Sequence, residues 1–180
     1  MSSGTKYRDI VCDIALDQHG FVTTSDAVAA GVPPIELPKL AARGGMENIA
    51  YGVYRVTGIP PTSNDQFAEA IFRVGRESFL YGESVLALFG LADVNPRQIK
   101  VGVRRRARPR LPAFIELVQV KGETATTLYD GMRSQTVADA IMACRGRIET
   151  PRLMNAARYA RKEGLLTTVE WKNVKDSLKQ

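Results

Sequence analysis

Apolar and polar positions along the first sixty residues fall into short, punctuated blocks. Ile10, Val11, Ile14, Ala15 and Leu16 recur at helical spacing and predict a helix over about 7–18, ended by His19-Gly20. Phe21-Val22 reads as a brief extended piece. Thr23 or Thr24 then caps a second helix of about 25–30, with Asp26 in its first turn, and Gly31 closes it. Pro38 would break a helix interior, so a third helix must begin near Ile35 or Glu36, placing the proline in the first turn. Leu37, Leu40 and Ala41 then face inward, Lys39 and Arg43 outward, and Gly44-Gly45 terminates the element. The run MENIAYGVYRV (46–56) predicts two short strands around a tight turn at Tyr51-Gly52. Helix, short helix, helix, hairpin is the order of a winged helix-turn-helix.

Downstream, TGIPPTSN (57–64) disfavours both helix and sheet. Beyond it the pattern is mixed. Helices are predicted over 65–74, with Phe67, Ile71 and Val74 inward, and over 83–89, ended by Gly90. Residues 98–103 and 113–120 alternate as strands do, and Asp130-Gly131 between Leu128-Tyr129 and Met132-Arg133 predicts a type I′ hairpin. Thr136 caps a helix to Ala143, Thr150-Pro151 opens a longer one to about Glu163, and Thr167 or Thr168 starts a last, basic helix. The expected class is α+β: a winged helix-turn-helix over 1–57, a linker at 58–64, and a mixed α/β domain over 65–180, with a small sheet and flanking helices.

Composition narrows the chemistry. The 180 residues are 44% apolar and 24% charged, values of a folded chain rather than a disordered one. No apolar run approaches the ~18 residues that span a bilayer, and the polar start lacks a secretory core, so a cytoplasmic protein without membrane contact is expected. His19 is the only histidine, which excludes a His-based metal site or a Ser/His/Asp triad within one chain. Neither GxxxxGK[ST] nor GxGxxG occurs. Cys12 and Cys144 read as reduced, semi-buried thiols, and Asp130 as a turn former rather than a catalytic carboxylate. No catalytic residue, metal or cofactor is expected, and the chain is not read as an enzyme.

Net charge is +6, which favours an anionic partner. Residues 1–57 carry five basic and six acidic side chains, whereas 58–180 carry twenty and thirteen. In a winged module the third helix enters the major groove, about 12 Å wide, while the hairpin touches the neighbouring backbone. Lys39, Arg43 and Arg55 would attract phosphates, and Thr23, Thr24 and Ser25 would donate to phosphate oxygens at the start of the second helix. A winged domain that binds protein instead is the alternative, and the near-neutral charge suits it. In the second part, Arg104, Arg105, Arg106, Arg108 and Arg110 occupy five of seven positions. Such density suits nucleic-acid phosphates or an acidic protein face, a solvated loop being the plain alternative. Trp171 on the last helix reads as a docking anchor.

The run from His19 to Val56 resembles the N-terminal module of AbiEi-type antitoxins of type IV toxin–antitoxin systems. It carries Gly20, Thr23-Thr24, Ala30-Gly31, Leu37 with Leu40, Gly44-Gly45 and Gly52-Val53-Tyr54 in the family's order, and GESVLALFGLAD and TLYDGMRSQTVADAI extend the similarity downstream. The resemblance implies an antitoxin whose winged helix represses its own operon at promoter repeats and whose second domain counteracts a cognate nucleotidyltransferase-like toxin. It assigns DNA contacts to Thr23, Thr24, Ser25, Lys39, Arg43, Tyr54 and Arg55. The arginine loop as the toxin- or phosphate-binding element follows from charge instead. The alternatives are covalent, kinase-like inactivation of the toxin and a plain winged-helix transcriptional regulator. The prolines before the third helix and Pro38 within it depart from the family pattern.

Overall fold

The computed structural model describes residues 3–105 and 110–179. The chain separates into two compact units, Met1–Gly75 and Arg76–Gln180.

The first unit contains α1 (Ser3–Leu16), β1 (Phe21–Thr23), α2 (Thr24–Ala29), α3 (Glu36–Ala42), β2 (Met46–Ala50), β3 (Val53–Val56) and α4 (Asp65–Val74). Its strands form an antiparallel sheet in the order β1-β3-β2. His19 and Gly20 both take positive φ, turning the chain from α1 into β1. Side chains on a strand alternate between faces, and here each face has a separate cover. Val22, Met46, Tyr54 and Val56 join Val11, Ala15, Ala27, Leu37 and Leu40 in one core, closed by the three N-terminal helices. On the other parity, Phe21 and Val53 are also buried. There the Phe21 ring lies 5.5 Å from that of Phe72 on α4.

This second cover moves the boundary. The chain divides after Gly75, not within 58–64, because α4 belongs with the first unit. Arg73 of α4 donates to the Ile49 carbonyl, and Asp65 pairs with Arg55. The extents of α2, α3, the hairpin and α4 agree with the sequence pattern to within a residue or two, whereas α1 begins and ends earlier than the pattern places it.

The second unit contains β4 (Phe79–Leu80), α5 (Glu83–Leu88), β5 (Ile99–Val103), β6 (Ile115–Gln119), β7 (Thr126–Tyr129), β8 (Met132–Gln135), α6 (Val137–Ala143), α7 (Thr150–Lys162) and α8 (Thr168–Leu178). The mixed sheet runs β6-β5-β4-β8-β7, with β5–β6 and β4–β8 parallel and the other pairs antiparallel. Strand β4 has no counterpart among the sequence expectations, since two residues show no alternation, yet it joins the sheet's two halves. Phe79 faces Gly102 across the ladder, where a Cβ would lie 2.6 Å from the Phe79 ring. Asp130 and Gly131 both take positive φ between paired Tyr129 and Met132, as a type I′ turn requires. Helices α6, α7 and α8 pack together over Ile141, Leu153, Ala157, Leu166 and Val174, all buried. The architecture is α+β.

Candidate nucleic-acid interface

Helix α3 is the element whose outer side decides what the first unit can touch. Ile35, its N-cap, already has helical φ and ψ (−66° and −19°), so the helical spacing extends back to it. Leu37 and Leu40 point into the core. Ile35, Pro38, Lys39 and Ala42 recur at i, i+3, i+4 and i+7 and are exposed on the opposite side. Pro38 is tolerated because the third residue of a helix has no intrahelical partner for its N–H. Lys39 Nζ lies 2.8 Å from Glu36 Oε1, an exposed pair of little energetic weight. Arg43, the C-cap, is exposed and borders a groove of about 640 Å³ whose other cation is Arg8 and whose walls include Cys12, Leu16 and Leu40. The hairpin tip presents Tyr51, fully exposed beside Gly52.

The remaining sequence candidates sit otherwise. Thr23 is the N-cap of α2: its Oγ1 accepts from the Asp26 N–H at 3.1 Å and donates to Asp26 Oδ2 at 2.6 Å. The Asp26 carboxylate in turn accepts from the Thr23 N–H, completing a capping box. Thr24 N–H donates to the Gly52 carbonyl at 2.8 Å, tying α2 to the hairpin. The hydroxyls of Thr23 and Thr24 are therefore occupied locally, and Ser25 alone of the three is exposed.

Tyr54 and Arg55 correct the sequence assignment. Tyr54 is 7% exposed and belongs to the core, because its parity on β3 matches Val56 and Val22. Arg55 faces α4: Nη1 donates to the His19 carbonyl at 2.6 Å, Nη2 donates to the Ile59 carbonyl and pairs with Asp65 at 2.8 Å, and the guanidinium lies 5.0 Å from the Phe21 ring centre. A guanidinium so committed is a structural tie, with its donors turned to the chain itself. Ile35, Pro38, Ala42 and Tyr51 are the surface residues that charge-based reading missed. The spacing of 35, 38 and 42 against 37 and 40 was their available signal.

In the second unit Arg104, Arg105 and Arg110 are exposed, and Arg106 and Arg108 lie outside the described residues. Arg104 donates to the Thr124 carbonyl at 3.2 Å. Thr124 Oγ1 in turn donates to Asp139 and accepts from Gln135, so one end of the basic segment is moored to the sheet. A cavity of about 310 Å³ lies between α7 and the turn at 90–93, where Arg152 donates to the carbonyls of Ala92 and Asp93, both at positive φ. Trp171 is half-buried, with Lys175 Nζ 5.9 Å from its ring centre. Cys12 and Cys144 are free, and burial pushes the Cys144 thiol up to about 12. Among the described residues no cluster of His, Cys, Asp and Glu could hold a metal, and no helix is long and apolar enough to cross a membrane.

The first unit thus sets three helices against a three-stranded antiparallel sheet, with α3 presented outward. Residues 10–57 match the model of the family described as "Transcriptional regulator, AbiEi antitoxin". Over the whole chain, the fold is similar to the crystal structure of the RV2827C protein from Mycobacterium tuberculosis. The identity is 15% and the TM-score 0.50, covering 97% of this chain and 71% of that one. No curated protein matches the chain.

Proposed function

We propose that the chain is an antitoxin that represses its own operon from the cytoplasm. In this reading the unit of residues 1–75 lays α3 and the β2–β3 tip against repeats in promoter DNA, and the unit of residues 76–180 counteracts a cognate nucleotidyltransferase-like toxin. The observation that carries the DNA half is the exposed side of α3, ending in Lys39 and Arg43 within the segment that matches the AbiEi regulators. Tyr51 at the hairpin tip replaces Tyr54 and Arg55 as the backbone-facing candidate. Phosphate contacts release counterions, so affinity for the duplex upstream of the gene must fall steeply with salt. Lys39→Ala and Arg43→Ala should each flatten that slope by about one. A flat salt response of the full chain overturns the DNA reading.

The toxin half rests on exposed Arg104, Arg105 and Arg110, whose guanidiniums suit an acidic protein surface. The proposed action is direct binding, with no cofactor and no catalytic step. Co-purification of a stable complex, lost on charge reversal at Arg104 to Arg106, supports it. A change in toxin mass after incubation with the chain and nucleotide would favour covalent modification instead. Absence of any toxin effect would leave a plain winged-helix regulator.

A further inference from the structure

Three of the four side chains on the outer face of α3 are hydrocarbon. Ile35 is 61% exposed, Pro38 and Ala42 are exposed, and none of these side chains can donate or accept a hydrogen bond. Lys39, the fourth, is drawn to Glu36. Just before the helix, Pro33 and Pro34 are exposed as well. Hydrogen bonds to base edges come from Arg, Lys, Asn, Gln, Ser, Thr, Asp or Glu, and the exposed residues of this face include two of these types, Lys39, which is paired with Glu36, and Arg43 at its end. The major groove presents one apolar feature to such a surface, the C5-methyl group of thymine. Lys39 and Arg43, i and i+4 along the helix, line one edge of the apolar strip and suit a polyanion there.

Resting on the reading of α3 as the groove-facing helix, we infer that the chain selects its DNA through thymine methyl groups packed against Ile35, Pro38 and Ala42. Lys39 and Arg43 supply sequence-independent attraction. The ligand is a duplex with thymines clustered where the start of α3 meets the groove, and the selectivity comes from burying hydrocarbon rather than from paired donors and acceptors. Each methyl removed from such a contact costs about fourfold in affinity.

The test uses the full chain and duplexes recovered by it from a random-sequence pool, resynthesised with deoxyuridine in place of thymidine, which deletes the methyls and nothing else. The wild-type chain should bind the thymidine duplex about fourfold more tightly per contacted methyl. Ile35→Ala, on the surface and therefore harmless to folding, should bring that ratio toward one, and Ile35→Val should keep most of it. Lys39→Ala should weaken both duplexes alike and leave the ratio unchanged. A wild-type ratio of one, with salt-dependent binding intact, overturns the methyl inference and leaves the DNA reading standing. Failure to bind any duplex at low salt overturns both.

Discussion

The guanidinium of Arg55 lies 2.8 Å from the carboxylate of Asp65 and joins the last strand of the first sheet to helix α4. Arg55 also donates to the carbonyls of His19 and Ile59, and it occupies the space above Gly20, where a Cβ would come within 2.0 Å of Nη1. The glycine is thus required twice, for its φ of +84° and for the room it leaves. One arginine fastens a turn, a strand and a helix.

Replacing Arg55 by Ala should therefore destabilise the first unit by about 2 kcal/mol or more, since two carbonyls lose a donor and the Asp65 carboxylate loses its counter-ion. Urea denaturation checks this. DNA affinity below the melting transition should change little, and a large loss of affinity at unchanged stability would return Arg55 to the interface.

Glu36 is an anion on the helix proposed to face phosphates. Glu36→Gln should release Lys39 and remove a repulsion, raising duplex affinity about threefold at low ionic strength and less at high salt. Fluorescence anisotropy across a salt series measures it. Weaker binding would mean that α3 meets a cationic surface.

Gly102→Ala would drive a methyl into the Phe79 ring, which is buried against it. Overpacking at this level costs about 2 kcal/mol. Phe79→Leu in the same chain should recover part of the loss, as thermal unfolding of the double variant would show.

Cys144 should resist thiol reagents until the second unit opens, whereas Cys12, half-exposed, should label in the native state. The folded thiol ionises only near 12, against 9.0 for the unfolded one. Stability from keeping it neutral is complete below 9.0 and declines as pH rises past that value, because the unfolded chain then releases the proton first. Cys144→Ala should reduce this alkaline loss in denaturation curves.

Thr167 caps α8 and donates to Glu170, holding that carboxyl below its ordinary value of 4.5. The sign is opposite: this stabilisation is complete above 4.5 and disappears as pH falls through the lower folded value. Thr167→Ala should weaken the second unit by about 1 kcal/mol at neutral pH and flatten its acid dependence. Equal acid sensitivity in both proteins would separate the cap from the titration.

Much of this molecule was legible along the chain, because its local rules agree. Prolines and glycines punctuate α2, α3 and the hairpins, the Asp130-Gly131 pair specifies its turn, and Phe67 and Ile71 give α4 a buried face. Those are properties of neighbours in sequence, and neighbours are all that periodicity can report. The site was less legible. Reading cations as ligands placed Arg55 on the outside, and reading alternation on one sheet face left no account of what covers the other.

Local pattern alone set out most of the elements (all but β4), the third helix with Leu37 and Leu40 inward, and the similarity of residues 10–57 to AbiEi regulators. Tertiary structure decided which side chains remain available to a partner. Strand β3 exposes neither parity: Tyr54 packs under the helices and Arg55 under α4, so the surface passes to Ile35, Pro38, Ala42 and Tyr51. Likewise β4, two residues long, exists as a strand only because Gly102 and Ser134 stand on either side to pair with it. Burial and pairing are relations between distant segments, and free energy assigns them only once the chain has closed on itself.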